Sequence, residues 1–379
     1  MTAIGLVGTG FVADLYMRSL ATFPELAVTA AFDLVPAHAD RFAGRWRVPV
    51  ERSLAALIGR VGAGGLILNL TNPAAHFVVS RECLAAGLHV YSEKPLALHM
   101  DQARALVDLA AAQGLLLGSA PCSALSETAQ TLAAAVRSGK MGRPRLVYAE
   151  LDDGYIPQAP YALWRSESGA VWPAADEFAV GCTLEHAGYY LTWLMAMFGP
   201  VRSVTAASAS LAGDEMPVAG PAPDFSTATL FFAGGMVARL TCSILAPHNH
   251  ALRIITDTGA LEVDEAWNNA APVRFRRRFA LRRRLVAAPV ARRLRLAGPT
   301  HPKVGRWGAA AMNFALGPAE MVQALAEGRP CRMAADLALH LTEVTLAIQG
   351  AGEAGGAMPM TTDFAAVAPM PWGGRLRGG

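Results

Sequence analysis

An apolar run, Ile4-Gly5-Leu6-Val7, ends in Gly8-Thr9-Gly10-Phe11-Val12-Ala13, and twenty residues after Ala13 a second apolar run closes on Asp33. No other stretch limits the fold so tightly. A glycine at position 8 permits the sharp turn from strand to helix. Gly10 lets backbone approach a pyrophosphate, and Ala13 keeps the helix close to the sheet. Phosphates then face unpaired N–H groups at a helix N-terminus, with Thr9, Phe11 and Val12 as neighbours. Asp33, at the tip of the second strand, is placed to accept hydrogen bonds from ribose hydroxyls. Strand, helix, strand and terminal acid in this register predict a dinucleotide-binding βαβ unit. Asp33 repels a 2′-phosphate, and Leu34-Val35-Pro36 offers no arginine to receive one, so NAD is expected over NADP.

A chain of 379 residues exceeds one ordinary core. The alternating apolar runs and helical stretches up to Gly118 call for a parallel sheet covered on both faces. Beyond Pro121 come strands joined without helices: 145–151, 201–210, 227–232, 237–244 and 252–263, with Gly234-Gly235 as a hairpin signal. The expected fold class is α/β, a Rossmann parallel sheet followed by an α+β domain with a mostly antiparallel, open-faced sheet. The boundaries read as residues 1–120, 121–350 and a C-terminal arm, 351–379. An open sheet face calls for a partner, so a homodimer or homotetramer is expected.

The five cysteines form no C-x-x-C pair, and no apolar run is long enough to span a bilayer. The reading is a cytoplasmic protein with free thiols and no metal site. Charge is uneven. Residues 274–306 hold twelve Lys or Arg and no acid, while the rest carries 21 basic against 30 acidic residues. Arginines there alternate with Phe275, Phe279, Leu281 and Leu285. This basic insertion is either a solvated element packing at a subunit interface or a surface for an anionic membrane or a pyrophosphate-bearing substrate. Nothing besides charge supports nucleic acid.

Three motifs fall where open α/β sheets bind ligands, at the carboxyl ends of strands. Thr71-Asn72-Pro73 with His76 follows the third strand, and Pro73 keeps Asn72 extended. Glu93-Lys94-Pro95 follows the fourth, where a lysine can polarise a substrate oxygen or steer a proton. Gly181 to Leu194 reads as a helix with Glu185, Tyr189 and Thr192 on one face. Asp152, Asp153, Trp164, Arg165 and Glu185 are candidates for the substrate end.

In this order the motifs resemble the glucose–fructose oxidoreductase, inositol dehydrogenase and rhizopine-catabolism (Gfo/Idh/MocA) family. The resemblance covers nearly the whole chain and implies a two-domain NAD(P)-dependent oxidoreductase. Its members pass a hydride between nicotinamide and a hydroxyl or ketone of a sugar, cyclitol or nucleotide-sugar. Family members carry Asp-x-Gly-x-His-x-x-Asp on the last helix; here the positions are Glu185, Ala187, Tyr189 and Thr192. The family's Arg-Phe after the sixth strand is Pro121-Cys122-Ser123. Two repairs are open: Tyr189 with Lys94 lowering a phenol pKa from about 10, or His186, which titrates near neutrality. The departures also leave room for NAD-recycling glycoside cleavage, or for a non-catalytic, membrane-associated NAD-binding protein.

Overall fold

In a computed structural model that describes residues 2–216, 218 and 220–378, the N-terminal domain is a five-stranded parallel sheet in the order β2-β1-β3-β4-β5. Its elements are β1 (Ile4–Val7), α1 (Phe11–Leu20), β2 (Val28–Phe32), α2 (Pro36–Trp46), α3 (Leu54–Val61), β3 (Leu66–Asn69), α4 (His76–Ala85), β4 (His89–Ser92), α5 (Met100–Ala112) and β5 (Leu117–Ser119). Strands β1, β3, β4 and β5 are buried along their whole length, as a sheet covered on both faces requires.

The chain continues through α6 (Glu127–Arg137), β6 (Pro144–Asp152), α7 (Ala174–Val180), α8 (Gly188–Phe198), β7 (Val201–Ala209), β8 (Phe225–Phe232) and β9 (Val237–Ser243). It goes on with β10 (Leu252–Thr256), β11 (Gly259–Val263), β12 (Val273–Leu281), β13 (Arg284–Ala287) and β14 (Arg292–Leu294). Last come α9 (Leu316–Glu327), α10 (Ala335–Gln349) and β15 (Gly356–Pro359). The second sheet runs β13-β12-β11-β10-β6-β9-β8-β7-β15, with β14 beside β12. All its pairs are antiparallel except β6 with β9. Side chains alternate along β8, every second one buried, so one face is packed and the other open.

Two elements depart from a simple two-body division. α10 packs on β7 of the second sheet and on α5 and β5 of the first, so residues 335–349 bridge the domains. The arm after 350 adds β15 to the edge of β7 and then folds back. Met370 N–H donates to Gln130 Oε1 at 3.0 Å, and Arg137 reaches Gly373 O at 2.9 Å. Leu376 bridges to Leu296.

Candidate active site

Gly8 adopts φ +91°, and a Cβ on it would lie 2.6 Å from Leu70 O at the end of β3. Glycine is therefore required twice, by dihedral and by contact. Gly10 differs: a Cβ there would meet nothing within 4 Å. That open space lies at the start of α1, which has no side-chain cap, so first-turn N–H groups are left for a ligand. Asp33 is held beside it. Its Oδ2 accepts from Thr9 N at 2.8 Å and Thr9 Oγ1 at 2.9 Å, and its Oδ1 from Val35 N at 2.8 Å. A carboxylate fixed this way keeps lone pairs for ribose hydroxyls. The arrangement fits a dinucleotide.

The neighbouring residues are engaged in holding the crevice together. Asn72 is exposed and donates to Asp176 of α7 at 2.6 Å. His76 is fully buried, Nδ1 lying 2.7 Å from Pro95 O and Nε2 2.9 Å from Thr71 O. Burial lowers its pKa, so a neutral ring braces the two strand-end loops, and none of its surface faces the crevice. Glu93 accepts from Tyr16 of α1 at 2.7 Å. Lys94 pairs with Glu185, which is buried. That contact joins the end of β4 to the turn opening α8, so Glu185 orients the lysine.

The turn Thr183–Ala187 is a π-helical turn leading directly into α8. π-turns re-aim side chains and cluster at functional sites. Here successive residues face different partners: Glu185 meets Lys94, while His186 Nε2 lies 2.7 Å from Asp153 Oδ2. Tyr189 sits edge-on to Trp267, ring centroids 6.5 Å apart, beside a small cavity shared with Tyr16, Glu93, Cys122 and Asn313. Ser123 Oγ donates to Tyr189 O at 3.1 Å, so the Pro-Cys-Ser stretch anchors the start of α8.

The expectation that Lys94 lowers the Tyr189 phenol is reversed. Burial first, and then the negative charge of Glu93, push that pKa well above its ordinary value, and the ammonium is committed to Glu185. Tyr189 stays a neutral hydroxyl.

Asp153 carries a network that the sequence reading missed. Its Oδ1 lies 2.6 Å from His250 Nε2, and His250 Nδ1 lies 2.8 Å from Glu265 Oε1. His248 packs tilted against His250 with centroids 4.1 Å apart, and its Nε2 is 3.1 Å from Glu265 Oε2. Burial would raise the Asp153 carboxyl, but the His186 and His250 imidazoles hold it well below the usual range. Burial would lower His250, yet the two carboxylates push it up to about 9. His250 is thus an imidazolium between two anions. Ligand atoms of Asp153, His248 and His250 lie within 4.8 Å of one another, a spacing open to a metal ion that the sequence, read as having no metal site, did not lead one to expect. Asp152, next to this cluster, is raised to about 6 by burial and by Glu150 and Asp153. The signal in the sequence was His248-Asn249-His250 just before a strand.

Trp164 packs edge-on against Trp172, and Arg165 turns back to Ala162 O and Trp164 O at 2.8 and 2.9 Å. Their loop is clamped to the first domain, Glu167 pairing with Arg18 of α1 and Arg45 of α2.

The description "Oxidoreductase family, NAD-binding Rossmann fold" (GFO_IDH_MocA) matches residues 2–120, and the GFO/IDH/MocA C-terminal domain matches 129–262. The chain belongs to the Gfo/Idh/MocA oxidoreductase family. Its cofactor is accordingly NAD, bound by the Rossmann domain. Among similar proteins, this Gfo/Idh/MocA chain is 34% identical over 178 residues to YceM of Salmonella typhimurium, covering 42% of this chain and 55% of that one. It is 28% identical over 146 residues to UDP-N-acetylglucosamine 3-dehydrogenase of Acidithiobacillus ferrooxidans, covering 38% and 44%. The alignments thus span about half the length of these relatives. The WlbA dehydrogenase of Bordetella pertussis, solved with NADH and UDP-GlcNAcA, superposes with a TM-score of 0.71 at 20% identity over 96% of this chain and 99% of that one.

Proposed function

We propose that this protein is an NAD-dependent dehydrogenase or reductase of a nucleotide-sugar, acting at a ring hydroxyl or ketone. The observation that carries the reading is the Lys94–Glu185 pair, which brings the end of β4, beside the dinucleotide turn, to the opening of α8. Bound NAD supplies the hydride acceptor or donor. Lys94 faces the hydroxyl that loses or regains its proton, and Glu185 orients the ammonium. His186, held by Asp153, takes that proton when the hydroxyl is oxidised and returns it when the ketone is reduced. Asp153 is a positioning residue, since it acts through His186. The nucleotide-sugar class is supported by the names of two similar proteins, the UDP-N-acetylglucosamine 3-dehydrogenase and WlbA.

The test is a screen of UDP- and TDP-sugars for NADH formation, with Lys94→Ala as control. The expected result is turnover with one of them, and a Lys94→Ala enzyme at least a thousandfold slower with unchanged NAD affinity. Full turnover by Lys94→Ala would refute the assignment. Elimination products with no net NADH would favour redox-assisted glycoside cleavage.

A further inference from the structure

We infer that the β12–β13 hairpin docks this protein on an anionic lipid surface. The inference does not rest on the reaction proposed above. β12 pairs with β11 as far as Arg277 opposite Gly259, and Arg278 N–H still donates to Thr258 O at 2.7 Å; beyond that, Phe279 to Leu281 pair only with β13. A two-stranded ribbon therefore projects past the sheet. Its tip lies roughly 23 Å, seven residues of strand, beyond Arg274, which faces Glu262, and Glu265 of the Asp153 network follows on the same connection. A tip at that end cannot clamp the pyrophosphate of a substrate in the crevice.

Charge changes character along the ribbon. At its base Arg274 pairs with Asp264 and Arg276 with Glu262. Toward the tip, Arg277, Arg282, Arg283 and Arg284 make no ion pair among the described residues. Arg282 takes φ +55° in the two-residue turn, a position where glycine or asparagine fits with less strain. Among these cations stand Phe279, Leu281 and Leu285, 43%, 56% and 67% exposed. Phe279 lies opposite Val286 and Leu281 opposite Arg284, so one face of the ribbon mixes apolar groups with guanidinium.

Unpaired arginines around exposed aromatic and aliphatic side chains match a headgroup layer over acyl chains. Nucleic acid would use the charge and leave the apolar residues idle. A second copy meeting this tip by a two-fold axis would bring like charges together.

The experiment uses the whole chain and vesicles of phosphatidylcholine with or without one-third phosphatidylglycerol, read by flotation. Binding is expected only with phosphatidylglycerol and should weaken with salt. Arg282→Gln/Arg283→Gln/Arg284→Gln should weaken it about a hundredfold, near fivefold per arginine. Phe279→Ser/Leu281→Ser should leave a weaker, fully salt-labile association. Unfolding midpoints of both variants confirm folding. Binding that ignores phosphatidylglycerol, no binding at all, or an unaffected arginine variant would overturn the proposal. So would light scattering in which the arginine variant alters oligomer mass, or DNA binding lost in that variant without vesicle binding by the parent.

Discussion

On the first-domain wall of the crevice, Gly8, Thr9, Gly10 and Asp33 come from a single βαβ unit, within which Thr9 bonds to Asp33. On the second-domain wall, Asp153, His186, His250 and Glu265 come from four separate stretches and meet only when ten strands and α8 are assembled. The first wall presents open space and backbone N–H groups, suited to one kind of ligand. The second presents a buried carboxylate, Asp153, held between His186 and His250. Under the proposed function, binding of the dinucleotide is a local property of the chain, and handling of the proton is a global one.

The sharpest way to separate the walls is Gly8→Val. It meets both a positive φ and the Leu70 carbonyl, so the variant should lose more than about 4 kcal/mol and fail to fold. A folded Gly8→Val protein with native melting would show that the turn is not locally determined. Next in size, Asp153→Asn should lower kcat about thirtyfold and displace the pH profile of kcat, with KM for NAD unchanged. Loss of NAD affinity instead would mean that the network serves the fold and not the proton.

A smaller effect concerns pH. His250 is raised to about 9, so its pairing stabilises the protein fully below about 6.5, the unfolded value, and that contribution fades as pH rises through 9. The unfolding free-energy gap between the parent and His250→Gln should be widest near pH 6, on the order of 2 kcal/mol, and narrow by pH 10. A gap that widens with pH would reverse the assignment of charge. Smallest of all, Tyr189→Phe should change kcat less than threefold at neutral pH, since the buried phenol stays protonated. A large loss would restore Tyr189 as the proton carrier.

How far the sequence was legible follows the same division. GTGFVA with Asp33, and the strand alternation of the second sheet, are short-range signals, and the structure has these elements within a residue or two. α10 gives almost no periodic signal because ADLALHLTEVTLAIQ is buried against two sheets and needs no polar stripe. The interleaved arginines and apolar residues of the basic segment do not themselves choose a fold; Arg282-Arg283 forms a two-residue turn. Asp153 reads in sequence only as a substrate-end candidate beside Asp152, because the histidines that claim it lie on other elements.

The central claim, that a nicotinamide dinucleotide lies over the turn at Gly10, is tested most directly by calorimetric titration of NAD into the parent and into Gly10→Val. A Cβ at that position meets no protein atom within 4 Å, so the variant should melt like the parent yet bind NAD at least a hundredfold more weakly. Equal NAD affinity in the two proteins would contradict the account.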